Sequence, residues 1–341
     1  MMTSTKEVWY LLCLSFLISC GTKTADTEQK EIKTIGTIER IENTFNELID
    51  ENATIEIISE GYEWSEGPLW VPAQNMLLFS DVPKNIVYKW TEAEGTSVYL
   101  SSSGYTGTLP AESREPGANG LTLDPEGRLT LCQQGNRFVA VMNTPTSNPS
   151  ADYTPIAELY EGKKFNSPND AIYSSQGDLY FTDPPYGLRK QEEDPGKEIP
   201  FQGVYKVSAG THEAILLVDS LTRPNGIILT PDEKTLIIAN SDPKKSIWYA
   251  FDLGENNTLT NARIFYDATG SAGKGLPDGL KVDKQGNIFA SGPGGVWIFN
   301  KEGTVLGKIK VPDAAANTAL SPDEKTLYIT NDMYVLRVKM R

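Results

Sequence analysis

Six polar residues recur along the chain at intervals of about 50 residues, each at the start of a short stretch of alternating apolar residues. Their side chains offer carboxylate and amide oxygens and no positive charge, which is the ligand set that hard divalent cations such as calcium prefer. A single Asn-Gly or Asp-Gly pair could simply form a turn, but a repeated position favours a shared role if the six come together. These head residues are Glu66, Asn119, Asn169, Asn225, Asp278 and Asn317.

The segments that follow the head residues have the pattern of antiparallel strands. After Asn119, a strand-like stretch leads to the turn sequence Asp124-Pro125-Glu126-Gly127 and then to a second apolar stretch. Further strand-like stretches between the repeats, such as 204–207 and 247–251, give about four strands per unit. Four-stranded units repeated radially are propeller blades, whereas a β-sandwich does not explain the period and a solenoid usually has shorter repeats. The repeat therefore predicts an all-β fold, a six-bladed β-propeller over residues 51–341.

A propeller would bring the head residues together. Equivalent positions at the start of the innermost strands all lie around one end of the central channel. We therefore expect a central metal site at that end. The aromatic residues at strand positions are expected to pack between the sheets instead; they include Trp64, Trp70, Trp90, Trp248 and Trp297.

Composition excludes several other classes of function. The formal net charge of −14 argues against a nucleic-acid partner, because phosphate binding requires clustered Lys and Arg. The single histidine, His212, lies away from every head residue, which disfavours a histidine base and a Ser-His-Asp hydrolase. No GxSxG elbow or GxGxxG phosphate loop is present in the sequence.

At these residues the chain resembles the family that groups gluconolactonases with senescence marker protein (regucalcin), and more distantly the paraoxonases. The resemblance covers roughly residues 55–337 and is most specific at SEGPLW (65–70), RPNG (223–226) and LPDG (276–279). The stretch FNSPNDAIYSSQGDLYFTDPPYGL (165–188) is most similar to the bacterial gluconolactonase branch.

The resemblance implies roles for the head residues. Glu66, Asn225 and Asp278 would hold a divalent metal ion, Asn169 would contact substrate beside it, and Asn119 would line the same mouth. Family members take calcium, and several accept zinc or manganese; calcium suits this oxygen-rich site best, since no His or Cys is available for a softer one.

One position departs from the family pattern. Regucalcin-type members have an arginine two residues before the equivalent of Asn169, and here that residue is Ser167. Other groups must then recognise the substrate's hydroxyls, and the candidates in loop segments are Tyr105, Arg114, Tyr186 and Arg189.

The activity that follows is hydrolysis of a sugar lactone, a small-molecule substrate. A metal ion would polarise the carbonyl and acidify water, and Asp278 would be the catalytic base. Two alternatives remain open: a non-catalytic propeller that binds a ligand through the same mouth, or a hydrolase of another ester or lactone.

The N-terminus predicts attachment to a membrane. The apolar run 11–20 is too short to span a bilayer and has the length of a signal-peptide core. It ends at Leu17-Ile18-Ser19-Cys20-Gly21, which resembles a bacterial lipobox, so residues 1–19 are expected to be a lipoprotein signal and Cys20 the lipidated residue. We interpret residues 20–50 as a polar tether and expect the protein in the cell envelope, with the lipid as its only membrane contact. The remaining cysteine, Cys132, is expected to be a buried thiol.

Overall fold

The computed structural model describes residues 32–108, 113–254 and 258–341, together with Met1, Met2 and Thr5. Residues 32–341 form one compact unit. No helix within the described part of the chain is long and apolar enough to cross a membrane. The predicted signal segment and Cys20 lie outside the described residues.

The compact unit opens with three short elements that precede the first head residue. They are β1 (Thr37–Arg40), α1 (Phe45–Leu48) and β2 (Ile55–Glu60).

Four-stranded antiparallel sheets then follow one another in chain order, as the repeat predicts. Each runs from an innermost strand outward, and the first three are blades 1 to 3. Blade 1 is β3 (Ser65–Val71), β4 (Met76–Asp81), β5 (Ile86–Thr91) and β6 (Gly95–Ser101); blade 2 is β7 (Ala118–Leu123), β8 (Leu129–Gln133), β9 (Phe138–Met142) and β10 (Tyr153–Ala157); a small hairpin, β11 (Leu159–Tyr160) and β12 (Lys163–Lys164), precedes blade 3, which is β13 (Ala171–Tyr173), β14 (Leu179–Asp183), β15 (Gly203–Val207) and β16 (Ala214–Val218). Short 3-10 helices lie at Pro72–Gln74 and Gln191–Glu193.

The second half of the ring repeats the pattern with three further sheets. Blade 4 is β17 (Pro224–Leu229), β18 (Thr235–Asp242), β19 (Lys245–Leu253) and β20 (Leu259–Asp267); blade 5 is β21 (Leu280–Val282), β22 (Ile288–Gly292), β23 (Gly295–Phe299) and β24 (Val305–Lys310); blade 6 is β25 (Ala315–Leu320), β26 (Thr326–Asn331) and β27 (Tyr334–Lys339). The predicted all-β, six-bladed propeller is confirmed.

Blade 6 closes the ring with strands from both ends of the chain. The N-terminal strand β2 pairs antiparallel with the C-terminal β27 and becomes the fourth strand of that blade. A buried ion pair joins the two strands, with Arg337 Nε donating to Glu56 Oε2 at 2.6 Å. Closure therefore depends on pairing between residues almost 300 positions apart.

The predicted tether 20–50 is wrong for its second half. Strand β1 pairs with β24 and gives blade 5 a fifth strand, and Phe45 and Ile49 are fully buried in the core shared with blades 5 and 6. Gly307 makes room for the Phe45 ring, because a Cβ there would lie 2.4 Å from ring carbons. A few apolar residues in a polar run are thus enough to fasten this segment to the propeller, which begins before residue 51.

Apolar side chains between neighbouring blades form the core, and aromatic residues are prominent in it. Trp70 of blade 1 stacks on Tyr328 of blade 6, with ring centroids 5.3 Å apart, and Trp248 of blade 4 packs against Trp297 of blade 5. Cys132 is buried and free, as expected. Trp64 is the exception to the predicted packing between sheets, because it lies at the end of the channel described next.

Candidate active site

One end of the central channel opens into a cavity of about 310 Å³, and the head residues surround it. Five of the six line its wall, as the propeller geometry predicts. The structure therefore brings together all of the predicted metal-binding, catalytic and substrate-binding residues: Glu66, Asn119, Asn169, Asn225 and Asp278.

The glycine after a head residue serves close packing in the channel. A Cβ on Gly67 would lie 2.0 Å from the Asn119 carbonyl oxygen, and one on Gly226 would lie 2.3 Å from the Asp278 carbonyl oxygen. The innermost strands of neighbouring blades approach so closely here that a side chain would prevent it. The turn interpretation of the Asn-Gly and Asp-Gly pairs is therefore wrong, since these pairs mark the contact between blades.

A polar residue at the end of the second strand holds the segment that leads to the head residue. In blade 3 the two carboxylate oxygens of Asp183 accept hydrogen bonds from the Ser167 N–H at 2.7 Å and the Asn166 N–H at 2.8 Å. Asp81 accepts bonds from Glu63 and Trp64 in blade 1 in the same way. These residues shape the mouth without lining it.

The two carboxylates of the predicted metal site lie in an environment that opposes their ionisation. Burial raises the pKa of Glu66 to about 8, and the negative charges of Asp170 and Glu115 act in the same direction. Burial also raises the pKa of Asp278 well above its ordinary value, and the charge of Glu66 adds to the effect. Two like charges in one buried cavity need a positive charge to become stable.

The polar atoms of the cavity fit a cation. Asp278 Oδ1 and Asn119 Oδ1 are buried, and no hydrogen-bond donor in the described ranges reaches either. The amide nitrogen of Asn225 donates to Ser241 Oγ at 3.1 Å, which commits that nitrogen and leaves the amide oxygen for another partner. Oxygens without donors are unfavourable when buried unless a cation or ligand satisfies them.

The donor set is restricted to oxygen. Within the described ranges, no group of three or more His, Cys, Asp or Glu side chains could hold a metal. A metal in this cavity would therefore take an amide oxygen beside its two carboxylates, which suits calcium better than zinc.

The sixth head residue, Asn317, is not part of the cavity wall and contacts an acidic residue that the sequence reasoning missed. The side-chain amide of Asn317 donates to Asp170 Oδ2 at 3.4 Å, and Lys281 Nζ lies 4.0 Å from the same carboxylate oxygen. Asp170 is buried directly after Asn169, and burial raises its pKa. Its place in the strand sequence gave no signal, because the aligned position in most repeats is a glycine.

Of the loop candidates, only Tyr186 lines the cavity; Tyr105, Arg114 and Arg189 are not part of its wall. Burial raises the pKa of Tyr186, as does the charge of Asp278, while hydrogen bonds with Ser241 and Asn225 act in the opposite direction.

Ser167 is fully buried and does not face the cavity. Its hydroxyl donates to the Pro184 carbonyl oxygen at 2.6 Å and accepts from the Gly187 N–H at 2.9 Å. The position that departs from the regucalcin pattern therefore anchors the loop that carries Tyr186.

Trp64 and Glu115 also line the cavity, and the sequence reasoning gave neither of them a place in it. Trp64 precedes the first blade by one residue, so its position next to Ser65-Glu66 was the available signal. Glu115 lies outside the repeat, and nothing in the sequence pattern indicates it. His212 takes no part, since it lies in a separate groove with its Nδ1 3.1 Å from the Pro155 carbonyl oxygen.

Comparison with known proteins identifies the family. The profile of the SMP-30/Gluconolactonase/LRE-like region matches residues 64–332, which include every head residue. The chain belongs to this family.

Relatives of the SMP-30/gluconolactonase family agree in sequence and in fold. A gluconolactonase of Zymomonas mobilis is 39% identical over 317 residues, which cover 90% of this chain and 87% of the relative. The structure of a gluconolactonase from Xanthomonas campestris is 27% identical, with a TM-score of 0.79 over 92% of this chain and 98% of that one. A calcium-binding regucalcin of Agrobacterium tumefaciens, 20% identical, shares the fold, with a TM-score of 0.63 over 84% of this chain and 94% of that one. The predicted family membership is confirmed.

Proposed function

We propose that this member of the SMP-30/gluconolactonase family hydrolyses a sugar lactone at the cavity with a divalent cation as cofactor. Calcium is the cation that the oxygen ligands of the cavity suit best. The comparisons support the enzyme class, a lactone hydrolase, because a relative that is 39% identical and a structural neighbour with a TM-score of 0.79 are gluconolactonases. Support for the cation comes from the cavity itself.

Two buried carboxylates and two unpartnered oxygens carry the proposal. Burial raises the pKa of both Glu66 and Asp278, the charge of Glu66 raises that of Asp278 further, and Asp278 Oδ1 and Asn119 Oδ1 have no donor among the described residues. Glu66, Asn225 and Asp278 would hold the cation. When bound, it would polarise the lactone carbonyl and neutralise the two carboxylates.

The remaining steps are carried by side chains of this chain. Asp278 accepts a proton from the attacking water, since a nearby positive charge favours its ionised form. Ser241 fixes the orientation of the Asn225 amide. Asn169 and Asn119 have amide groups at the wall that can position the sugar ring, and Trp64 and Tyr186 add aromatic surface to the same wall.

Rates of lactone hydrolysis with and without calcium test this function. The protein should begin at Gly21, which retains the whole compact unit 32–341, and acid release from glucono-1,5-lactone is followed above the spontaneous rate. We expect calcium-dependent hydrolysis that a chelator abolishes and added calcium restores. Equal rates in chelator would contradict the role of the cation. Tight calcium binding without hydrolysis of any lactone would instead favour a non-catalytic propeller that binds a ligand. Hydrolysis of only a different ester or lactone would favour the alternative of a hydrolase with another substrate.

We further infer that Cys20 carries a lipid that holds the propeller at a membrane of the cell envelope. The supporting observation is the lipobox-like sequence that ends at Cys20. Because residues 32–341 form one compact unit, only the segment 21–31 after Cys20 would act as tether. Membrane fractionation of cells expressing the wild type and Cys20→Ala tests this, and a variant that stays with membranes would contradict it.

A further inference from the structure

The cavity contains a third carboxylate that the proposed cation site does not use. Glu115 precedes β7, and its side chain lines the wall together with Glu66 and Asp278. Its negative charge raises the pKa of both of those carboxyls, so the three groups share one electrostatic environment. Glu115 comes from a connection between blades, so its position depends on contacts outside the repeat.

Those contacts hold Glu115 in place from two sides. Ser113 Oγ and the Arg114 N–H both donate to the Gly187 carbonyl oxygen, at 2.6 and 3.1 Å. The Glu115 N–H donates to Ser113 Oγ at 3.1 Å, and Gly117 N–H donates to the Val82 carbonyl oxygen at 2.9 Å. The backbone around Glu115 is therefore fixed before a substrate enters.

The Glu115 carboxylate has no donor of its own in the parts of the chain that the structure describes. No hydrogen bond or ion pair reaches it there, and Arg114, its nearest cation in sequence, is exposed and lies outside the cavity wall. Burial raises the pKa of Glu115 to about 7. The Glu115 side chain is only partly exposed, and hydroxyl groups of a bound ligand would supply the donors that its carboxylate lacks.

Apart from the two carboxylates of the proposed cation site, Glu115 is the anionic acceptor in the described wall, beside the neutral amides of Asn119 and Asn169. Asn225 and Ser241 bond to each other and to Tyr186, so these three groups are already engaged. No Lys or Arg is among the described residues of the wall. A phosphate or carboxylate on a substrate would meet three acidic side chains and no cation from the protein.

We propose that Glu115 determines specificity: its carboxylate accepts hydrogen bonds from the hydroxyl groups of an uncharged, polyhydroxylated lactone, and with its acidic neighbours it disfavours anionic lactones. This inference rests on the proposed hydrolysis of a sugar lactone and adds the residue that selects the substrate.

Three lactones with the same six-membered ring test the proposal. Glucono-1,5-lactone has the hydroxyls, δ-valerolactone lacks them, and 6-phosphoglucono-1,5-lactone adds a negative charge. We expect Glu115→Gln to lower kcat/KM for gluconolactone by about 10- to 100-fold, the range for losing a hydrogen bond to a charged acceptor. Hydrolysis of δ-valerolactone should stay within about twofold, and the preference for gluconolactone over its phosphorylated form should shrink.

A matched control and a binding measurement complete the experiment. Glu126→Gln removes the same charge from an exposed turn and should leave all three rates unchanged. Calcium affinity, measured by titration calorimetry, should be the same in Glu115→Gln and wild type. An equal loss for gluconolactone and δ-valerolactone would overturn the proposal, and a parallel fall in calcium affinity would place Glu115 in the cation site instead.

Titration with D-glucitol separates this inference from the proposed function. Glucitol has the hydroxyl groups but no ester to hydrolyse. If the wild type hydrolyses none of the three lactones, the proposed function fails, and glucitol binding decides the role of Glu115. Binding at least about tenfold weaker in Glu115→Gln supports the role, whereas equal or absent binding in both proteins overturns it.

Discussion

The two ends of blade 5 each have a buried aspartate, yet only the aspartate at the cavity end has an oxygen without a partner among the described residues. At the turn end of blade 5, Asp283 Oδ1 accepts hydrogen bonds from the Gln285 N–H at 2.9 Å and the Asn287 N–H at 2.7 Å. At the cavity end of the same blade, Asp278 Oδ1 is buried without a donor. A repeated position therefore does not by itself indicate a functional residue. A buried acidic side chain to which the fold supplies no hydrogen-bond donor is the better indication.

The largest difference between the two ends is expected when each of these aspartates of blade 5 is replaced by alanine in a separate variant. Asp278→Ala should lower kcat for lactone hydrolysis about 1000-fold, because the proton acceptor and one ligand of the cation are lost together. Stability of its calcium-free form should be equal to or above that of wild type, since a buried like charge is removed. Asp283→Ala should lower the free energy of unfolding by about 1–2 kcal/mol through its lost hydrogen bonds and leave kcat within about twofold. Initial rates and urea unfolding measure the two effects, and a similar loss of activity in both variants would contradict the comparison.

Calcium should stabilise the protein through the cavity end only. At 100 times its Kd, calcium should add about 2.7 kcal/mol to the free energy of unfolding, which is a rise of several degrees in Tm for a chain of this size. Glu66→Gln should remove most of that rise, because it deletes one of the two anionic ligands. Glu126→Gln, which loses a charge in a turn, should keep the full rise. Differential scanning fluorimetry compares them, and an unchanged rise in Glu66→Gln would count against the assignment.

Two serines, one at the cavity end of a blade and one at the turn end of another, form a hydrogen bond with a neighbouring polar side chain, and their roles can be compared. Ser241 accepts a hydrogen bond from the Asn225 amide, whereas Ser321 donates to Asp323 Oδ1 at 2.6 Å in a turn of blade 6. Ser241→Ala should weaken calcium binding by about tenfold, the lower end of the range for a residue that supports a ligand. Ser321→Ala should leave calcium affinity unchanged and lower the free energy of unfolding by about 1 kcal/mol. Titration calorimetry and urea unfolding distinguish the outcomes, and unchanged affinity in Ser241→Ala would show that Asn225 needs no brace.

The smallest expected effect is on the pH dependence of stability, to which carboxylates at the two ends contribute with opposite signs. Burial raises the pKa of Asp183 from 3.8 to about 7. Between about pH 4 and 7 the folded state therefore keeps a proton that the unfolded chain has lost, and stability falls as pH rises through this window. The hydrogen bond from Ser321 lowers the pKa of Asp323 below 3.8, so its stabilising contribution is present above pH 4 and is lost as pH falls.

Substitution of each residue by Asn measures these two slopes. Relative to wild type, Asp183→Asn should become more stable as pH rises from 4 to 7. Asp323→Asn should be most destabilised above about pH 5 and should move towards wild type as pH falls below about 4. Urea unfolding across this range gives the free energies, and parallel profiles for both variants would argue against different environments at the two ends.

The sequence predicted the ring and its convergent residues because both follow from repetition. Once Glu66, Asn225 and Asp278 occupy one position of a radial repeat, their meeting at the channel is a matter of geometry. The places of Glu115 and Trp64 in the cavity wall were not predicted, because both residues lie in connections between strands. The paths of such connections depend on contacts such as that between Ser113 and Gly187. The burial of Phe45 was not predicted for a similar reason, since it depends on Gly307, more than 250 residues away.

The role of Ser167 could be recognised only in the structure. Its departure from the regucalcin pattern predicted a change in substrate recognition, but not that its hydroxyl would hold the loop of Tyr186. The role of the Asn-Gly pairs could not be predicted either, because glycine is required both in turns and where two strands lie in close contact.

Crystals grown with manganese, in place of calcium, give the most direct test that the cavity end is a cation site. The anomalous difference density should show one strong peak among the side chains of Glu66, Asn225 and Asp278, and none at turn residues such as Asp283. Catalytically active crystals with no peak in the cavity, or with the metal bound only at the turns, would contradict it.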